Sequence, residues 1–162
     1  MELKDKIFIA GIVDYLVCVL CVIIIILHGR RIALRRYDKF KKSIKILATL
    51  IFVLLLVAFV LGWFRGNWSI TMMREKFADP VEPIAKIGKW RRIFLWGRVN
   101  FLILYLILFI GLIIPDTKYD RAIKRRYHWA EDGASICFYL TIIGIELAHE
   151  WFWHRQLFNM VG

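Results

Sequence analysis

From Ile46 to Phe64 the chain carries no charged residue, and the run closes at Gly62-Trp63-Phe64-Arg65, an aromatic and basic boundary. About 20 apolar residues in a helix match the hydrocarbon thickness of a bilayer. A bilayer forces the backbone into helices or closed barrels, because no water is present there to satisfy its polar groups. The same run in a soluble protein would have to sit at the centre of a large polar shell. The rest of the chain offers no such shell: the 162 residues are 60% hydrophobic, yet they hold 24 Lys+Arg against 13 Asp+Glu, a net +11. A soluble domain of this make-up would aggregate, and a nucleic-acid binder would not place its charge between long apolar runs. The class expected is an integral membrane protein with no nucleic-acid partner, whose excess of positive charge reports topology and lipid contact.

Three further runs complete the pattern. Ile7 to Leu27 is broken only by Asp14 and is followed by Gly29-Arg30-Arg31; it is too long for a signal-peptide core and is expected to remain as a span. Ile93 to Ile114 carries Arg98 near its start and is closed by Pro115, and the last run extends from Ala134 to His154. The predicted fold is an all-α integral membrane protein. Its four transmembrane helices lie at about 7–28, 46–64, 93–115 and 134–154, in a single transmembrane helical domain over 1–162 with no soluble domain.

Between spans two and three an interfacial helical segment is expected. Ser69 would cap a short helix with Ile70, Met73 and Phe77 on its apolar side, and Asp79-Pro80 would end it. Pro83, Ile84, Ile87, Trp90, Arg91 and Arg92 then lead into the membrane. Asn67-Trp68-Ser69 matches a glycosylation acceptor, but it abuts a membrane end and is expected to stay unmodified. Trp63, Trp68, Trp90, Trp96, Trp129, Trp151 and Trp153 fall at span ends or in connections, where indole rings anchor at headgroups. Lipid headgroup contact is expected from Arg30, Arg31, Arg35, Arg36, Arg91, Arg92, Arg125 and Arg126.

Connections 29–45 and 116–133 hold eight and five Lys/Arg, against two, seven and one in the N-terminus, the middle connection and the C-terminus. Basic residues favour the side from which spans insert. The two basic connections are therefore expected in the cytoplasm or mitochondrial matrix, with both termini opposite, in a prokaryotic cytoplasmic or mitochondrial inner membrane. No presequence is visible, so mitochondrial targeting would be internal.

The chemistry gathers in Gly144-Ile145-Glu146-Leu147-Ala148-His149-Glu150-Trp151-Phe152-Trp153-His154. At about 100° per residue, Glu146, His149, Glu150, Trp153 and His154 share one face, which Ser135 and Tyr139 extend. Ionisable groups facing lipid are costly, so this face must turn toward protein, water or a metal. Alternating span direction puts Asp14, Arg98 and the 146–154 stripe in the same leaflet. Provided spans one, three and four are neighbours, Asp14, Arg98, Glu146, His149, Glu150 and His154 form an intramembrane polar cluster.

Three chemistries suit such a cluster. Arg98 can neutralise Asp14 or Glu146 in a buried ion-pair network that fixes helix packing. Alternatively Glu146, His149, Glu150 and His154 hold a metal: Glu146-x-x-His149 has the spacing of di-iron bundles, but those need the pattern twice, and His149-Glu150-x-x-x-His154 is one residue too long for a zinc HExxH. In the third, the acids and histidines carry protons or line a quinone or lipid pocket. Cys18-x-x-Cys21 and Cys137 lie inside apolar runs and read as packing residues, not as a redox pair. His28 and His128, near the basic side, are expected to be solvated, not haem ligands.

The leading expectation is an accessory or structural subunit of a larger membrane protein complex, such as an energy-converting or respiratory one. It would brace neighbouring helices, contact anionic lipid and need no cofactor. The rivals are a small metal- or quinone-dependent membrane redox enzyme using the Asp/Glu/His cluster, and a component of a proton or ion pathway. No complete catalytic motif is present, so activity of the chain on its own is not expected.

Overall fold

The computed structural model is all-helical, with four helices and no strand among the described residues: α1 (Leu3–Leu34), α2 (Lys41–Lys76), α3 (Val81–Ile113) and α4 (Lys118–Val161). Residues 1–36, 38–76, 78–79, 81–113 and 117–161 are described, with side chains except at 83, 109, 111–113, 119–120 and 156–161. Phe77, expected on the apolar side of a short helix, and Pro80, Pro115 and Asp116, expected at element ends, lie outside them.

α1 and α2 are each long and apolar enough to cross a membrane. Their 32 and 36 residues make helices of roughly 48 and 54 Å, longer than the ~30 Å hydrocarbon core. Each therefore carries helical structure out beyond its apolar run.

The separate interfacial helix expected between spans two and three does not form. α2 runs unbroken through Gly66 and Ser69 to Lys76, and α3 begins at Val81. Ser69 is not a cap but a fully buried residue of α2. The reason is tertiary: Leu55, Ala58, Arg65, Ser69, Met72 and Met73 recur at helical spacing, so the buried face of α2 continues past Trp63 and Phe64. The 116–133 connection is likewise mostly helix. Lys118 onward belongs to α4, with one non-helical residue, Tyr127 (φ −115°, ψ 21°), marking a kink.

The α1–α2 reversal is tight. Arg35 adopts a left-handed conformation (φ 51°) and its N–H donates to the Ile32 carbonyl at 3.2 Å. Phe40 is also left-handed (φ 61°). Such backbone costs a non-glycine residue about 1–2 kcal/mol; the Phe40 ring packs on the core and offsets part of it.

α1 packs against both α2 and α4, and α2 against α3. α3 reaches α4 mainly through rings: Phe94 to Phe152, Phe101 to Phe138 and Tyr105 to Tyr139, with centroids 5.7, 6.0 and 6.1 Å apart. Along the bundle the interior is layered. Near the N-terminus of α1 lie Ile7, Met72, Met73, Ile87, Phe152 and Trp153. Toward the α1–α2 turn lie Val17, Cys21, Ile51, Leu55, Tyr105 and Ile142. The ionisable groups sit between these two apolar layers. Outside, Leu16, Val19, Val53, Ile103, Ile107 and Leu140 are exposed, so all four helices present apolar surface.

Candidate functional site

Each of the four helices sends polar groups to one level. Asp14 (α1), Arg65 (α2), Arg98 (α3) and Glu146, His149 and Glu150 (α4) are all buried there, each at most 5% exposed. Arg98 is the hub. Its Nη2 donates to Asp14 Oδ1 at 3.0 Å and to Glu146 Oε2 at 2.7 Å, while Nη1 donates to the Ala58 carbonyl at 3.0 Å. One guanidinium thus ties three helices to the fourth. Gly62 makes this approach feasible, since a Cβ there would lie 2.6 Å from Arg98 Nη1.

Arg65 forms the second pair. Its Nη1 donates to Glu150 Oε1, its Nη2 to Glu150 Oε2 at 3.2 Å, and Nη1 lies 3.8 Å from Asp14 Oδ2. A fork of this kind is among the stronger polar contacts in a dry interior. Its cation also lies over the Trp153 ring, 5.5 Å from the centroid. Gly11 gives the pair room, because a Cβ there would come within 2.7 Å of Glu150 Oε2.

His149 is held in one tautomer. Trp153 Nε1, which can only donate, gives its proton to His149 Nε2 at 2.7 Å. Nε2 is therefore the bare nitrogen and Nδ1 carries the hydrogen, which it donates to Asp14 Oδ2 at 3.0 Å. Arg98 Nη2, 3.0 Å from the same Nδ1, is then a neighbour and not a bonding partner. His154 stands at the mouth of the cluster, its side chain 45% exposed and its Nε2 3.6 Å from Glu150 Oε2 and 3.1 Å from the Tyr15 hydroxyl. Two guanidiniums, of Arg65 and Arg98, face three carboxylates here, of Asp14, Glu146 and Glu150.

Asp14, Glu146 and His149 offer ligand atoms within 4.8 Å of one another, close enough to hold a metal ion. The centre of that triangle, however, is where Arg98 Nη2 sits, within 3.0 Å of all three atoms. Both nitrogens of His149 are also engaged. As folded, these donor atoms are taken up by the Arg98 guanidinium. His154, the fourth ligand of the sequence-level metal set, lies at the edge.

Toward the α1–α2 turn, a second polar cluster follows the apolar layer. His28 Nδ1 meets Asp132 Oδ1 at 2.7 Å, Arg31 Nε lies 3.6 Å from Asp132 Oδ2, and all three residues are buried. Between the clusters the Tyr105 hydroxyl donates to the Ala48 carbonyl at 2.7 Å and meets that of Tyr139 at 3.1 Å.

Several expectations are corrected. Arg65 is no interface anchor but part of the ion-pair layer, and its signal was the buried spacing of α2 on either side of it. Trp153 is 1% exposed and serves His149, not the headgroups. His28 and His128 are buried, not solvated. Arg31 turns inward to Asp132, so it is no headgroup contact. Arg91 lies over the Trp63 ring at 4.2 Å and donates to the Trp63 carbonyl at 3.2 Å. Arg30, Arg35, Arg36, Arg92, Arg125 and Arg126 are exposed. Asp132 does not stand out in the sequence, because an acid next to Glu131, in a polar connection with four acids and five Lys/Arg, reads as solvated.

Comparison with known protein families, curated proteins and solved structures found no match.

Proposed function

We propose that this chain is a four-span membrane subunit whose role is structural: it braces neighbouring helices in a larger membrane assembly, with no cofactor of its own. The observation that carries this reading is the closure of the ion-pair layer. Arg98 donates to α1, α2 and α4 at once, and Arg65 is committed to Glu150. Buried charges that pair wholly within one chain lock helices in register, and breaking them is costly.

A crossing by all four helices is supported by their layering. α3 and α4 contribute to the same levels as α1 and α2, which favours a bilayer crossed by the first two being crossed by the others as well. The exposed rows Ile103, Leu104, Ile107 and Leu108 on α3 and Leu140 and Leu147 on α4 are surfaces for lipid or for partner helices. The basic connections 29–45 and 116–133, with eight and five Lys/Arg, support a cytoplasmic or matrix position for that end of the bundle.

The rival readings draw less support. A metal at Asp14, Glu146 and His149 would have to displace Arg98. A proton path would have to pass Val17, Cys21, Ile51 and Ile142, each at most 2% exposed, in the dry layer between the polar clusters. The discriminating experiment replaces Glu146 or His149 with alanine in cells. The structural reading expects loss of the chain from its assembly, and of the assembly's stability. An intact assembly with lost metal, redox or transport activity would refute it.

A further inference from the structure

Where α1 turns into α2, a cavity of about 610 Å³ is lined by Arg35, Arg36, Asp38, Lys39 and Arg125. Four cations meet one carboxylate, and that carboxylate, Asp38, lies 3.7 Å from Arg125 Nη2. Among the described residues no other acid lines the pocket. Like charges brought together repel, so their convergence needs a structural cause, and three are present. The left-handed Arg35 turns Arg35 and Arg36 off the axis of α1, and the left-handed Phe40 fixes the far end of the turn beside Lys39. The kink at Tyr127 marks where the first turns of α4, which carry Arg125, depart from the rest of the helix. Leu34 and Ile46, exposed apolar residues on the adjoining ends of α1 and α2, flank the turn.

We infer that this pocket binds the phosphate headgroup of an anionic phospholipid. The volume is that of a small-ligand site and exceeds what a bare phosphate would fill. Guanidinium forks match phosphate oxygens in pairs, which a diffuse lysine surface does not. The flanking Leu34 and Ile46 offer apolar surface along which acyl chains can run. Of the eight arginines expected at headgroups, Arg35, Arg36 and Arg125 converge in this way, joined by Lys39. The inference rests on the membrane-spanning reading above, which sets the turn at headgroup depth.

The test uses the full chain, purified in detergent, delipidated, and titrated with phosphatidylglycerol or phosphatidylcholine under native mass spectrometry. The variant R36Q/K39Q/R125Q is compared with the charge-matched R30Q/R92Q/R126Q, both checked for helix content by circular dichroism. The pocket variant is expected to bind phosphatidylglycerol about a hundredfold more weakly than the wild type, as removal of three basic groups near an anionic surface implies. The matched control should change far less, and phosphatidylcholine should not distinguish them. Should the triple variant fail to fold, R36Q alone is expected to weaken binding about fivefold. Equal binding by pocket and control variants would overturn the site, and so would displacement of phosphatidylglycerol by equimolar pyrophosphate, which would indicate a soluble phosphate ligand. Release of the wild type from membranes by alkaline carbonate would instead overturn the membrane reading beneath it.

Discussion

Replacing Arg98 with methionine removes the cation while keeping most of the stem that fills the space between α3 and α4. Three hydrogen bonds disappear, to Asp14, to Glu146 and to the Ala58 carbonyl. Glu146 then loses its cation: among the described residues the other guanidinium of the layer, Arg65, is forked on Glu150 and lies 3.8 Å from Asp14. Breaking a buried pair by removing one partner costs about 3–5 kcal/mol. In a chain of this size that lowers Tm on the order of 10 °C. Thermal unfolding of the purified protein in detergent, followed by circular dichroism, reads the change. R98M/E146L removes both halves of the shortest Arg98 bond, and replacing a buried pair by apolar side chains is commonly near neutral. The double variant should therefore recover most of the lost stability. If R98M unfolds at the wild-type temperature, or the double variant is no better than R98M, the ion-pair layer is not what holds these helices.

Further outcomes follow from the same geometry. G62A sets a Cβ 2.6 Å from Arg98 Nη1, and crowding a pinned group should cost about 1–3 kcal/mol; G144A, with nothing within 4 Å, should stay within about 0.5 kcal/mol of wild type in the same unfolding assay. W153F withdraws the donor that fixes His149, leaving Nε2 unpaired at a cost of about 1–3 kcal/mol, and the imidazole ¹⁵N spectrum should lose its single tautomer. D132A removes the acid that holds His28 and Arg31 across α1 and α4; it should destabilise by about 3–5 kcal/mol, against under about 0.5 kcal/mol for the exposed neighbour in E131A.

Much of the architecture was legible in the chain because bilayer physics is restrictive. Uncharged runs such as Ile46–Phe64 have few alternatives to a helix, and the 3.6-residue period placed Glu146, His149 and Glu150 on one face. Antiparallel depth brought Asp14 and Arg98 to the same level. The rest depends on partners that periodicity does not name. Arg65 follows an aromatic boundary and resembles a snorkelling anchor until α1 and α4 are seen to extend beside it. Ser69 has the chemistry of a cap, but burial between helices outweighs a capping bond worth about 1 kcal/mol. The metal reading and the ion-pair reading use the same Asp14, Glu146 and His149. Only the position of Arg98 Nη2 between their atoms separates them.

The central claim, that the chain is a bracing subunit whose charges are satisfied internally, is tested most directly by native mass spectrometry after gentle release from its own membrane. The account predicts a larger particle of several different subunits, in which this 19.3 kDa chain carries lipid but no metal, haem or quinone. A lone chain or homo-oligomer that retains a metal ion, and loses it on replacement of Glu146 or His149, would contradict it.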